Sequence, residues 1–198
     1  MKRRLKILDF RLKILANTFF AIEALDGQLI TNKVACNPIV KNDFYESDVT
    51  KDILKIVVLN RYKNAPVAKG FIKNFGIKKG AIASSVAHDS HNIVAVGIDD
   101  ESLMKAMNLI IKKRGGVSAV SNEKEMVLGL PVAGLMSNDD GYKVATAYTA
   151  IDKMVKEEMD STLTAPFMTL SFMALLVIPH LKLSDLGLFD GDEFKFVE

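Results

Sequence analysis

The chain of 198 residues holds one cysteine, no tryptophan and three histidines. A lone thiol, Cys36, excludes an internal disulfide and fits a reducing, cytoplasmic compartment. With no histidine beside it, Cys36 reads as a buried or incidental thiol. An excess of either charge is also lacking. Lys and Arg number 26 against 24 Asp and Glu, a net of +2. That balance carries no nucleic-acid footprint. Neither G-x-G-x-x-G nor P-loop spacing occurs, so no phosphate cradle is indicated. The lysines of residues 69–80, including Lys73, Lys78 and Lys79, read as a solvated face. No G-x-S-x-G elbow is present, so Ser84, Ser85 and Ser90 lack the setting of a nucleophile despite nearby histidines.

Long apolar runs are scarce too. Residues 161–179 carry no charge, but Pro166 and Pro179 bracket only twelve of them. A helix of that length covers about 18 Å, short of the ~30 Å hydrocarbon core, so a buried segment is expected and no membrane span. Asp9, Arg11 and Lys13 interrupt the basic start, which removes the apolar core of a signal peptide. No internal repeat or low-complexity tract is found.

What is present is a globular composition, 49% apolar and 25% charged. A chain of this size buries roughly 70% of its unfolded surface, enough for a sizeable core. Residues 19–25 and 28–34 flank Asp26-Gly27, a hairpin signal. Residues 37–50 are polar and irregular and read as a loop. Strand signals follow at 53–59, 66–75, 81–87 and 93–98. Their connections are too short for parallel crossovers, so they are expected to pair antiparallel. Residues 99–114 form the clearest helix, capped by Asp99 or Asp100 and closed by Gly115-Gly116. A hairpin is expected over 117–120 and 126–130, then an apolar loop over 131–137. A second long helix spans 139–159, with Val144, Ala147, Tyr148, Ile151 and Val155 on one face. Loop and short helix fill 161–180, and a strand over 194–197 ends the chain. Phe167, Met168, Phe172, Met173 and residues 175–178 read as core, or as an apolar wall shared with a partner domain. The sum is an α+β fold: mostly antiparallel sheet with two long helices packed on it. Residues 1–50 read as a leading segment with a β-hairpin, a remnant of an inter-domain region. Residues 51–198 read as the main domain.

One polar knot stands out, His88-Asp89-Ser90-His91-Asn92, between the strands at 81–87 and 93–98. Scaffolds present reactive side chains on such connections. Two imidazoles and a carboxylate suit general acid-base work, with Asp89 orienting a ring. A metal site would need further ligands, and His180 is the only other histidine. The plainest alternative is a hydrogen-bonded loop capping strand ends, since Asp, Ser and Asn bond local backbone readily. The residues alone supply no complete catalytic set.

Residues 80–92, GAIASSVAHDSHN, resemble the C-terminal domain of bacterial adenine deaminases of the amidohydrolase superfamily. So do residues 27–31 (GQLIT), 131–137 (PVAGLMS), 166–172 (PFMTLSF) and 187–190 (GLFD). The resemblance runs in one order from about Phe19 to the end. It implies conversion of adenine and water to hypoxanthine and ammonia by a manganese or iron centre in a preceding (β/α)₈ barrel. The sequence departs from that pattern. It has no His-x-His pair, and a TIM barrel needs roughly 200 residues of alternating strand and helix that are absent here. No metal ligands and no cofactor are therefore expected in this chain. Two readings follow. In one, the chain is the C-terminal portion of an adenine deaminase, inactive without a separate barrel chain. In the other, it is a truncated non-enzymatic remnant or interaction module. The partners implied are a barrel chain or self-association, with adenine as substrate of the complete enzyme and no nucleic acid or membrane. Under the first reading His88, Asp89 and His91 are auxiliary catalytic candidates, and Ser90 and Asn92 face the substrate.

Overall fold

The stretch ILKIVVL is buried at every position and forms the strand at the heart of the fold, Ile53–Leu59. A strand apolar without alternation must be covered on both faces. This computed structural model, which describes residues 5–6, 9–13 and 19–197, shows how. In chain order the strands are β1 Leu12–Lys13, β2 Phe19–Ala24, β3 Thr31–Cys36, β4 Ile39–Lys41, β5 Phe44–Glu46, β6 Ile53–Leu59 and β7 Ala68–Lys73. They continue with β8 Ala81–Ser84, β9 Ile93–Gly97, β10 Gly116–Val120, β11 Glu125–Gly129, β12 Leu181–Ser184, β13 Gly187–Asp190 and β14 Lys195–Phe196. The helices are α1 Asp100–Lys113, α2 Gly141–Lys153 and α3 Pro166–Phe172.

Eight strands make one sheet in the order β11-β10-β8-β9-β6-β7-β2-β3. Every pairing in it is antiparallel except β2 with β7, which is parallel. On one face Val57 and Leu59 meet Leu103, Ala106, Met107 and Ile110 of α1. On the other, Leu54, Ile56 and Val58 share a core with Ile151, Val155 and Leu170. Lys55 is 1% exposed on the strand between them, and its ammonium pairs with Asp100 at the start of α1. A buried cation needs such a partner.

The expected α+β architecture is borne out, and of the three α-helices among the described residues α3 is the short helix expected within 161–180. Three local expectations are corrected. Residues 37–50 are not all loop: β4 and β5 form a hairpin whose turn residues Asn42 and Asp43 have φ of 49° and 65°. Asn and Asp tolerate that left-handed region, so the polar run is turn chemistry. The left-handed residue ending α1 is Arg114, φ 64°, and not a glycine. Gly115 serves a different need, since a Cβ there would lie 2.2 Å from the Gly134 Cα. The third concerns α2. Of the face expected to be apolar and covered, Ile151 and Val155 are buried, whereas Tyr148 is 37% exposed. Helix α2 starts at Gly141, with Asp140 accepting from the Tyr142 and Lys143 amides, and ends in a π-turn over Met154–Glu158.

The small sheet β12-β13-β14 adds Leu181 and Leu183 to the core. Between them Lys182 is fully buried, and its Nζ donates to the Leu29 carbonyl at 2.7 Å. Burial pulls its pKa down to about 8. An unfolded lysine titrates near 10.4, so between those values the unfolded chain binds more protons and folding strengthens as pH rises. Relative to Lys182→Met, the wild type is expected to gain roughly 2 kcal/mol from pH 7.5 to 10 in urea titrations. Parallel pH profiles for the two proteins would refute this.

Candidate functional site

The knot sits where the sequence put it, between β8 and β9 at the end of the central strands. Several bonds explain its shape. The Ser84 hydroxyl donates to the Val86 carbonyl at 3.2 Å and accepts the Val86 amide at 3.0 Å. The Ser85 hydroxyl is buried, donates to the Gly134 carbonyl at 2.6 Å and accepts the Gly116 amide at 2.8 Å. Both serines are thus occupied in holding backbone, and neither is hydrogen-bonded to a histidine among the described residues. The His88 amide donates to the Ser171 carbonyl of α3 at 2.9 Å, and the His91 amide closes the turn onto Ala87 at 2.7 Å.

The two imidazoles are brought together, with ring centroids 5.9 Å apart. His88 lies flat on Phe172, centroids 4.8 Å and planes 22° apart. His91 adopts φ 50°, and its Nδ1 is buried without a hydrogen-bond partner. Asp89 and Ser90 are exposed at the tip. Among the described residues, no hydrogen bond joins Asp89 to either ring. Asn92, expected to face a substrate, is turned inward. It is 2% exposed, and its Oδ1 accepts the Arg61 amide at 3.2 Å. The third histidine belongs elsewhere: His180 Nδ1 bonds Asp192 next to the small sheet. No group of three or more His, Cys, Asp or Glu among the described residues could hold a metal ion. The ion that the resemblance implies therefore finds no ligand set among them.

Arg61 and Phe172 are the neighbours that sequence reasoning missed. The Arg61 guanidinium donates to the Ala133 carbonyl at 2.7 Å and to the Tyr62 hydroxyl at 3.0 Å. It thereby ties the loop over 131–137 to the knot. Nothing in the local sequence around Arg61 signals that role, because its partner lies 72 positions away. Phe172, expected in the core or on an apolar wall shared with a partner domain, is half-buried, and its ring is the platform for His88.

Beside the knot a cavity of about 470 Å³ opens between α2, α3 and the sheet. His88 and Ser171 edge it, and Val86, Val144, Tyr148 and Phe167 supply its walls. Tyr148 and Phe167 pack ring to ring at 6.0 Å. Cys36 is buried away on β3, where desolvation pushes its thiol up to about 11.

Residues 28–195 match the model of the adenine deaminase C-terminal domain. The chain belongs to this family. It is 55% identical over 177 residues to an adenine deaminase of Sulfurovum sp. (strain NBC37-1), covering 89% of this chain and 32% of that protein. It is 46% identical over 193 residues to an adenine deaminase of Borreliella burgdorferi, covering 97% and 35%. It is 44% identical over 200 residues to an adenine deaminase of Methanothermobacter thermautotrophicus, covering 98% and 37%. The chain thus spans about a third of the length of the curated relatives it matches. The match includes both the knot and the loop over 131–137 that Arg61 secures.

Proposed function

We propose that this chain is the C-terminal part of an adenine deaminase and that it presents the His88–Asn92 turn to an active site completed by other polypeptide. The observation that carries the reading is the pairing of two imidazoles at an exposed turn in a domain shared with adenine deaminases. Conversion of adenine to hypoxanthine takes up water and releases ammonia. A proton must leave the attacking water, and one must reach the departing amino group. An imidazole near neutral pKa can do both. His91 is the better placed, because one nitrogen is unpaired and its neighbours Asp89 and Ser90 reach solvent. His88, stacked on Phe172, fixes the turn and lies within reach of the same substrate. Ser90 faces the substrate, whereas Asn92 acts from behind by holding Arg61. A barrel chain is the proposed partner, in the cytoplasm, and a manganese or iron ion is assigned to that partner.

The test is a deamination assay on purified chain with divalent metal, read as ammonia release. No turnover is expected from the chain alone. Turnover is expected when this chain replaces the matching third of the Sulfurovum enzyme. Turnover by the chain alone would show that it needs no barrel. An inactive but folded chimera would favour a non-enzymatic module.

A further inference from the structure

Exposed helix positions are normally charged or strongly polar. Helix α1 obeys this, with Glu101, Lys105, Lys112 and Lys113 outward. So does the end of α2 and its π-turn, with Lys153, Glu157 and Glu158 outward. The first ten residues of α2, GYKVATAYTA, do not. None of them is buried, yet Lys143 is their only charge. Tyr142 is 87% exposed and Tyr148 37%. Met136, five residues before α2, is 57% exposed, and Met168 on the cavity wall is 56% exposed. The apolar cavity opens on the side of Val144, Ala145 and Tyr148. A second groove runs along Tyr142, Ala147 and Ala150 on the same helix. Apolar surface of this extent, on both sides of one exposed helix, marks a surface covered by a partner.

The cavity favours the same conclusion. Its walls are mostly apolar, and its serines are spent on the backbone: Ser84 on Val86 and Ser171 on the Met168 carbonyl. A free purine base presents more polar edges than the His88 imidazole and the Tyr148 hydroxyl could pair, and each one left unpaired carries a penalty. An apolar side chain carries no such penalty.

We infer that the first half of α2, with the cavity beside it and Met136 and Met168 at its margin, is the docking face for the rest of the adenine deaminase polypeptide. This rests on the proposed function. The occupant is argued from length and position. About two thirds of each relative lies outside the match, and the face adjoins the knot that the proposed function places at the shared active site.

Hydroxyl-radical footprinting tests this. Tyr142, Tyr148, Met136 and Met168 are expected to be labelled strongly on the isolated chain. On the intact Sulfurovum enzyme, the side chains aligned with them should label at least tenfold more slowly. Equal labelling overturns the inference. Two further arms name other occupants. Ala145→Glu puts a charge on an exposed position of the cavity wall and should shift the Tm of the isolated chain by no more than about 2 °C. Light scattering should show no discrete dimer that this variant dissociates. Such a dimer would make a second copy the occupant and overturn the inference. Saturable adenine binding to the isolated chain, abolished by Ala145→Trp, would make the cavity a base pocket and also overturn it. The footprint reads contact and not turnover. Loss of the docking face therefore leaves the deamination assay of the chimera standing, and failure of that assay leaves the footprint interpretable.

Discussion

Replacing His91 by asparagine is expected to lower kcat for adenine deamination at least about 100-fold in the chimera that carries this chain, the low end for lost acid-base help. Asparagine is the informative substitution because of the backbone. His91 sits at φ 50°, a left-handed conformation that Asn adopts more readily than most residues. The variant therefore removes the imidazole and keeps the turn, closed by the His91 amide on Ala87 and by Asn92 on Arg61. His91→Ala should show the same kinetic loss and add a small stability cost from the strained φ. Thermal unfolding of His91→Asn should match the wild type. Normal turnover with an intact fold would leave the turn a structural cap on the ends of β8 and β9. A pH–rate profile gives a second reading. An acid-base role predicts that the profile of the variant changes shape, which a merely structural role would not bring about.

The second large effect concerns stability. Gly80→Ala is expected to destabilise the chain by about 3 kcal/mol or more. Gly80 has φ +77°, and a Cβ there would lie 1.8 Å from the Val120 carbonyl oxygen. That oxygen belongs to the last residue of β10, and Gly80 directly precedes β8, whose Ala81 pairs with Val120, so neither segment can move without breaking pairs. The Gly80 carbonyl also accepts the Ile98 amide at 3.0 Å, which joins the turn to the end of β9. For a chain of this length that loss corresponds to a fall in Tm of about 6–12 °C. Because the knot hangs between β8 and β9, His88 and His91 should lose their fixed spacing in the same variant. A shift under about 1 kcal/mol would show that the turn relaxes in some way the sheet geometry does not suggest.

Much of this fold was legible because its signals are local. The Asp26-Gly27 turn predicts the hairpin of β2 and β3, and Gly27 has φ 69° as such a turn requires. The Asp99 cap predicts the start of α1, where its carboxylate accepts the Ser102 amide at 2.7 Å. The knot was legible as a cluster of polar residues between apolar runs. Its internal arrangement was not. Sequence order suggested that Asp89 would orient an imidazole, but the orienting contact is Phe172, 84 positions from His88. Asn92 looked like a substrate contact and proves to be a strut, because Arg61 reaches it from another strand end. The apolar residues of α3 split in two: Phe167 and Leu170 enter the core, while Met168 is exposed. Helical periodicity alone separates such faces, but it cannot say which one the sheet covers.

By itself the sequence determined the strands of the eight-stranded sheet, the capped helix α1, the polar turn and the kinship with adenine deaminase C-terminal domains. Those follow from hydrophobic period, turn chemistry and short motifs, which act over a few residues. Only the tertiary structure decided that β2 runs parallel to β7, that Lys55 meets Asp100, and that Ser85, Gly134 and Arg61 lock the loop over 131–137 behind the turn. It alone decided that the first half of α2 is left uncovered beside a cavity. The physical reason is range. Long-range pairing is set by how two covered faces of one sheet share a limited supply of apolar surface, and no window of neighbouring residues contains that information.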